Sequence, residues 1–181
     1  MKPCWIPWLL VLSAAVPLFS CTELDELPLS GMFWTRVLDY APWSARYSHT
    51  SVVFDNKIWV IGGRGEYDSA KNDVWSSTNG VTWIQSATSV IWLSRQVHTS
   101  VVFDDKIWVI GGEDGDGARN NDVWSSTDGV TWKQVTVAAA WEPRAGHSSV
   151  VFDNKIWVIG GLDSDNVRKN DVWSGQYILD R

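Results

Sequence analysis

Two sets of residues that could do chemistry recur along the chain with a constant step of 49 residues: His49, His98 and His147, and Arg46, Arg95 and Arg144. Imidazoles hold a transition metal only where the rings converge on one ion at about 2.0–2.1 Å. Equivalent positions on packed sheets lie on the order of 10 Å apart. We therefore expect the histidines to fix the start of a strand through hydrogen bonds, and we predict no metal and no cofactor. The arginines could bind anionic sugars or acidic peptides, or they could bond to backbone carbonyls between structural units.

Further candidates lie in three segments that differ in sequence while their surroundings repeat, namely 64–71, 113–120 and 162–169. A repeated scaffold with varied loops is the layout of a binding surface. The residues concerned are Tyr67, Asp114, Asp116, Asp163 and Asp165. The carboxylates could hold Ca²⁺, since hard cations prefer oxygen ligands. No loop has the spacing of an EF-hand, however, and we interpret the four aspartates as acids on the protein surface.

The chain has 14 tryptophans in 181 residues, and twelve of them fall in four columns with the same 49-residue step. The columns are Trp34, Trp83 and Trp132; Trp43, Trp92 and Trp141; Trp59, Trp108 and Trp157; and Trp75, Trp124 and Trp173. An indole ring buries about 150–250 Å², so we predict that the columns pack structural units together. Trp43, Trp92 and Trp141 precede a strand and are the candidates for contact with a ligand.

Composition and motifs weigh against several classes of function. The net charge is -6, which disfavours nucleic-acid binding by phosphate neutralisation. Both cysteines, Cys4 and Cys21, lie in the first 21 residues, so the rest of the chain has no disulfide, cysteine metal site or catalytic thiol. The sequence has no GxSxG motif, phosphate-binding loop or zinc motif. We favour a protein with no catalytic residue. An enzyme whose catalytic residues are scattered along the sequence, without a motif, is the alternative.

Each repeat is predicted to form four short strands. In the first copy these are 49–54, 57–63, 72–77 and 81–85, with an Asn-Gly turn of type I′ before the last. No sustained helical periodicity is present. The three copies span 49–85, 98–134 and 147–179. Short, evenly spaced strands with a repeat near 50 residues are typical of β-propeller blades.

The first 21 residues have the layout of an export signal. Lys2 is followed by an uncharged run over 3–22, which includes the sequence LFSC at 18–21. That sequence resembles the box of bacterial lipoproteins, in which the cysteine becomes the lipidated first residue. The resemblance implies lipidation at Cys21, a tether over 22–32, and a protein of the bacterial cell envelope held to the membrane by its lipid. A plainly cleaved signal, giving a periplasmic or secreted protein, and an uncleaved anchor are the alternatives.

The repeated features resemble the Kelch repeat: Arg and His before the first strand, Gly-Gly after the second, and tryptophans at set distances beyond. The likeness is to bacterial Kelch proteins related to the central domain of galactose oxidase, and it covers 34–175. It implies an all-β fold of Kelch-type β-propeller blades, with three four-stranded repeats of 49 residues. The copper chemistry of galactose oxidase is not implied, because that site uses a tyrosine cross-linked to a cysteine and no cysteine follows Cys21.

Three blades are fewer than the roughly four to eight of closed propellers. The segment 33–37 repeats a fourth strand and is expected to form an extra N-terminal strand, while the third copy departs from the pattern after Ser174. Either 177–179 or the segment at Trp34 could supply the last strand of that blade. The chain could be an open arc, a shortened relic of a longer propeller, or half of a six-blade homodimer.

The resemblance and the varied loops together favour an exported, non-catalytic scaffold that binds a protein or a glycan. A carbohydrate-active enzyme is the alternative, since some exported Kelch proteins resemble sialic-acid epimerases. Such an enzyme would need acid and base groups unique to one blade, whereas the charged columns here are mostly identical. A truncated copy without a function is the third hypothesis.

Overall fold

A computed structural model describes residues 32–87 and 90–176 of the chain. The chain divides into two units, Met1–Thr35 and Arg36–Arg181. The signal over 1–21, Cys21, most of the tether and the strand expected at 177–179 lie outside the described residues. Within the described part, no helix is long and apolar enough to cross a membrane.

The second unit consists of three copies of one antiparallel motif, as the repeat predicts. The first blade contains β1 (Thr50–Phe54), β2 (Lys57–Arg64), β3 (Ala70–Ser77) and β4 (Ile84–Ala87). A short strand β5 (Arg95–Gln96) leads into the second blade, which contains β6 (Thr99–Phe103), β7 (Lys106–Asp114), β8 (Arg119–Ser126) and β9 (Lys133–Thr136). Strand β10 (Arg144–Ala145) leads into the third blade, with β11 (Ser148–Phe152), β12 (Lys155–Asp163) and β13 (Arg168–Gly175). One 3₁₀ turn, Glu66–Asp68, follows β2.

Turn chemistry sets the register of each blade. Asp55 and Asn56 have φ of 48° and 54°, so the β1–β2 hairpin has the type I′ turn, which requires positive φ at both positions. The type I′ turn predicted at Asn79 and Gly80 is wrong, because only the glycine has positive φ. The Asn79 carboxamide accepts the amide N–H groups of Val81 and Thr82, which removes them from strand pairing. The fourth strand therefore begins at Ile84 and not at 81.

The short strands connect neighbouring blades. Arg95 in β5 pairs with Lys71 of the first blade and with Asp114 of the second. Arg144 in β10 pairs with Asp163 of the third blade. Strand β1 lies beside β6, and β6 lies beside β11. Successive blades are thus neighbours in space in the order of the sequence.

Two hydrophobic clusters fill the interfaces between blades. The first contains Trp59, Ile61, Val74, Val90, Trp92, Ile107, Val109, Trp124 and Trp132. The second contains Val101, Phe103, Trp108, Ile110, Trp141, Ile156 and Val158. The alternation of each strand sends every second residue into one of these clusters. The prediction that the tryptophan columns pack blades together is confirmed at both interfaces.

The extra N-terminal strand expected at 33–37 is absent from the described structure, which shows no regular secondary structure from 32 to 38. Trp34 is exposed, unlike its repeats Trp83 and Trp132. Those repeats follow a third strand through a tight turn, which brings the fourth strand against its partner. No third-strand sequence precedes 33–37, so the segment has no hairpin partner of its own.

Candidate functional site

Each repeated arginine is the centre of a polar cluster inside its blade. In the second blade, Arg95 makes a bidentate pair with Asp122, with both N···O distances 2.9 Å, and donates a further bond to the Gly111 carbonyl at 2.9 Å. Trp124 donates its indole N–H to the same carboxylate at 2.7 Å. The first blade repeats the cluster with Arg46, Gly62, Asp73 and Trp75. The third repeats it with Arg144, Gly160, Asp171 and Trp173.

In the first and third blades the cluster holds the carboxylate in its charged form. Burial alone would raise the pKa of Asp73, but hydrogen bonds from Arg46 and Trp75 lower it below its usual value. Hydrogen bonds from Arg144 keep the pKa of Asp171 well below its usual range. A carboxylate that stays ionised and accepts three donors cannot act as a general acid near neutral pH. The clusters therefore stabilise the blades.

The arginines do not form the anion-binding surface that the sequence left open. The side chains of Arg46, Arg95 and Arg144 are at most 2% exposed. Their carbonyl bonds go to the Gly-Gly segment of their own blade, and their main partner is an aspartate 27 residues further on. The pairing of the arginines with Asp73, Asp122 and Asp171 was not predicted from the sequence. The constant separation of two oppositely charged columns was the signal that could have revealed it.

The histidines lie at the boundaries between blades. His98 Nε2 is 2.9 Å from Thr50 Oγ1 of the preceding blade, and His147 Nε2 is 2.9 Å from Thr99 Oγ1. Each bond thus reaches the first residue of a strand, Thr50 of β1 or Thr99 of β6, but it joins two blades, which the sequence did not predict. Burial, aided by the charge of Arg95, lowers the pKa of His98 to about 3. Burial and the charge of Arg144 lower that of His147 to about 4.

At neutral pH these imidazoles are uncharged structural groups. The described residues contain no group of three or more His, Cys, Asp or Glu side chains placed to hold a metal ion. His49, which begins the first blade, is exposed.

The tryptophans proposed for ligand contact pack on neighbouring side chains of the blades. Trp92 is buried, with its ring edge-on to Trp132 at 4.3 Å between centroids, and the Arg95 guanidinium lies 5.6 Å from its ring centre. Trp141 is buried beside Arg144 in the same way. Trp43 is only half-buried and meets Trp83 at 4.5 Å. Among the three, only Trp43 keeps part of its ring accessible.

The varied loops 64–71, 113–120 and 162–169, called the rim loops below, lie at one edge of the blades. Each follows the strand that carries the Gly-Gly pair, and β5 joins the loop ends of β3 and β7 at this edge. Arg119 Nη2 donates to Asn166 Oδ1 at 2.8 Å, which connects the second rim loop to the third. That bond has no counterpart between the first and second loops, because those positions hold other residues. Sequence analysis did not predict it.

The acidic candidates in the rim loops divide into two kinds. Asp114 Oδ1 accepts the amides of Asp116 and Ala118 at 3.0 and 2.9 Å, and so shapes its own loop. Asp163 does the same in the third loop, is buried, and pairs with Lys169. The interpretation of Asp163 as a surface acid is therefore wrong, because its carboxylate holds the loop together.

Three of the candidates face solvent. Tyr67, at the tip of the first rim loop, is 98% exposed. Asp116 and Asp165 are exposed in the second and third rim loops. A phenol and two carboxylates at one edge can donate and accept hydrogen bonds to a ligand. These three are the predicted site residues that the structure leaves free to do so.

An apolar cleft of about 310 Å³ lies between the second and third blades, which the sequence did not predict. Residues that line it include Trp108, Trp141, Ile156 and Trp173. In the preceding interface the corresponding cluster also contains Trp132, whose repeat position is 181, an arginine. Because the cleft lies where the preceding interface has an additional indole, we assign it to the packing between blades and not to a ligand.

Comparison with known proteins identifies the architecture. A family model described as the KLHDC2/KLHL20/DRC7 Kelch-repeats domain matches residues 20–177. Among solved structures, the chain is similar to that described as "Structure of YjhT", with a TM-score of 0.65 and 19% sequence identity. The match covers 74% of this chain and 50% of that chain, so this chain spans half the length of the solved protein. A likeness at this identity shows the fold alone. No curated protein matches the chain.

Proposed function

This chain belongs to the Kelch-repeat domain family, and we propose that it is a non-catalytic scaffold that binds a protein or a glycan through its rim loops. One observation carries the proposal: the repeated arginines are buried and paired with repeated aspartates, while the loops that differ between copies lie largely exposed at one edge. A fold alone does not define a function. The assignment therefore depends on the chemistry of that edge.

The repeated arginines and the buried histidines are engaged in holding the blades together. The Arg95 guanidinium pairs with an aspartate and donates to a backbone carbonyl. The buried imidazoles have lowered pKa values and hydroxyl partners in the neighbouring blade. A catalytic base near neutral pH needs the opposite arrangement, a pKa close to the working pH and access to substrate.

The rim loops are pre-organised for recognition. Asx-type bonds from Asp114 and Asp163 hold two of the loops in fixed turns. A loop that is ordered before binding loses less conformational entropy on binding. The exposed ring of Tyr67 adds an amphipathic contact of the kind that binding surfaces favour.

Export is the second part of the proposal. The uncharged run over 3–22 and the sequence LFSC at 18–21 support a bacterial signal that ends in lipidation of Cys21. A lipid on that residue would place the blades at a membrane surface of the cell envelope. Metabolic labelling with an alkyne fatty acid tests this part: incorporation that is lost in Cys21→Ser supports it, and an unlabelled wild-type chain refutes it.

Binding is tested on a glycan array and on immobilised cell-envelope protein. We expect Tyr67→Ala and Asp165→Asn to weaken binding at least about tenfold each, in the range of interface hot spots. Asp153→Asn is the matched control, since it makes the same change in the third blade at the opposite end of β12. If the control weakens binding and the rim variants do not, the site is misassigned. Chemical conversion of a bound glycan would instead support an enzyme.

A further inference from the structure

The outer face of the third blade is a copy of a buried interface that has been left uncovered. Its residues, called the tail face below, are Val150, Phe152, Trp157, Ile159 and Val172. In the second blade the same positions hold identical residue types and pack against the third blade. Phe103 is 9% exposed but Phe152 is 69%, and Val101 is 8% exposed but Val150 is 47%. The two faces differ only in whether a further blade covers them.

The tail face is held in the conformation of its buried counterparts. The Trp157 indole N–H donates to the Phe152 carbonyl at 2.8 Å. The same bond occurs between Trp59 and Phe54 at 2.9 Å in the first blade. The ring therefore adopts its interface position without a partner, which lowers the entropy cost of docking.

The first blade presents the complementary half of the interface. Its face, called the head face below, comprises Trp43, Ile58, Val60, Trp75 and Trp83. These positions correspond to Trp92, Ile107, Val109, Trp124 and Trp132, which cover the tail side of the first blade. Trp43, Trp75 and Trp83 are all only half-buried and Ile58 is exposed, whereas Val60 is already buried beneath them.

The head face also has a space at the position where an indole ring of a neighbouring blade would pack, called the seat below. At Gly129, in the turn of the second blade, an added Cβ would overlap the Trp59 ring of the preceding blade. Gly80 occupies the same place in the first blade with nearly the same φ, 73° against 72°. There the nearest atom to an added Cβ is Ile58 Cδ1 at 4.0 Å. Among the described residues, no ring thus occupies the position above Gly80 that Trp59 occupies above Gly129.

The hydrogen bonds between side chains of neighbouring blades also recur from one blade boundary to the next. Thr50 Oγ1 meets His98 and Ser100 of the next blade, and Thr99 Oγ1 meets His147 and Ser149. The next members of these series are the Ser148 hydroxyl on the tail side and His49 and Ser51 on the head side. Both His49 and Ser51 are exposed. The groups needed for the same hydrogen bonds at a third blade boundary are therefore present and accessible.

The backbone supplies one more matching bond. The Val97 amide donates to the Ser48 carbonyl at 3.0 Å, and the Gly146 amide donates to the Val97 carbonyl at 2.9 Å. Ser48, Val97 and Gly146 all have positive φ, from 54° to 64°. The Gly146 carbonyl would be the acceptor for Ser48 of a following blade.

We propose that the tail face of one chain docks on the head face of a second copy, and that two copies close one ring of six blades. The occupant is a second copy because its head face carries the same five residue types as the second blade's half of the first internal interface, with a histidine and a serine at the matching register positions. A head-to-tail contact forms a ring when its rotation closes, and six blades fall within the range of closed propellers. The chain also spans half of the solved propeller chain it matches.

Light scattering of the full chain tests the proposal. We expect a molar mass twice the 20.3 kDa of one chain at micromolar concentration. Phe152→Glu on the tail face and Ile58→Lys on the head face should each raise the dissociation constant more than about a hundredfold, because a buried unpaired charge is strongly unfavourable. Val167→Glu is the control, since this exposed valine lies in the third rim loop and outside the face. Every variant keeps residues 1–31, so association through that segment would be the same in all.

Mixing the two variants identifies the direction of contact. A head-to-tail dimer of a Phe152→Glu chain with an Ile58→Lys chain has one unchanged interface and one in which opposite charges meet. We therefore expect the mixture to recover dimer that neither variant forms alone. A monomeric wild-type chain would overturn the proposal, and so would loss of the dimer in Val167→Glu alone. A dimer that survives Ile58→Lys but not Phe152→Glu would show tail-to-tail contact and also overturn it.

Discussion

Lowering the pH from 7.5 to 5 should destabilise the blades through His98 and His147. Both imidazoles are neutral in the fold, with pKa values of about 3 and about 4, against an ordinary value near 6.5. The unfolded chain therefore binds more protons than the folded chain between pH 6.5 and about 4. Stability is lost as the pH falls through that window. The aspartates contribute below it, since the pKa values of Asp73 and Asp171 are lowered from 3.8.

The size of the effect follows from the shifts. One pKa unit corresponds to 1.36 kcal/mol, so each histidine loses about 2 kcal/mol of stabilisation at pH 5, and the two together about 4 kcal/mol. The physical causes are burial and a nearby guanidinium; in addition, His98 Nδ1 has no hydrogen-bond partner within the described residues. A protonated ring would bury a charge beside Arg95 with one N–H unsatisfied.

The assay is urea unfolding, followed by tryptophan fluorescence, at pH steps from 7.5 to 5. It is made in the Phe152→Glu background, so that self-association does not contribute. Replacing both histidines by Gln keeps a hydrogen-bonding group but removes the titration, and should abolish most of the pH dependence. An unfolding free energy that is flat over this range, or a slope that survives both replacements, would refute the reasoning.

Three further variants test the packing of the blades in the same monomeric background. Arg95→Met should lower the free energy of unfolding by about 3–5 kcal/mol, because the Asp122 carboxylate is left largely buried without its cation; a loss below 1 kcal/mol in urea unfolding would contradict this. Gly129→Ala and Gly80→Ala share the cost of a positive φ, but only the former meets the Trp59 ring. Thermal unfolding should therefore show Gly129→Ala to be less stable by about 1–3 kcal/mol more; equal losses would count against an empty seat at Gly80.

The periodicity of 49 residues was enough to predict the blades, because each copy repeats the local signals that make strands. Alternating β-branched residues, two-residue turns and Gly-Gly pairs act over a few residues, and they are the same in every copy. The strand bounds were less accurate at the fourth strand. The Asn79 side chain takes the amides of Val81 and Thr82, which is a competition that pattern alone does not reveal.

The roles of the repeated charged residues could not be predicted from each set of equivalent positions considered alone. Arg95 and Asp122 are 27 residues apart, and they meet because strands β7 and β8 pair between them. Likewise, the partner of His98 is Thr50 of another blade. Each role depends on a contact across the sheet or across a blade boundary. The sequence shows that such columns recur but not which column faces which.

The sequence by itself therefore determined the structure of the blade and the presence of three copies. Strand and turn propensities are local, and the same local sequence occurs three times. Tertiary structure alone decided which polar groups are consumed inside the scaffold and which remain at the rim. It also decided which apolar faces lack a neighbour: Phe103 and Phe152 are the same residue in the same local sequence, and only the presence of a following blade makes one buried and the other exposed.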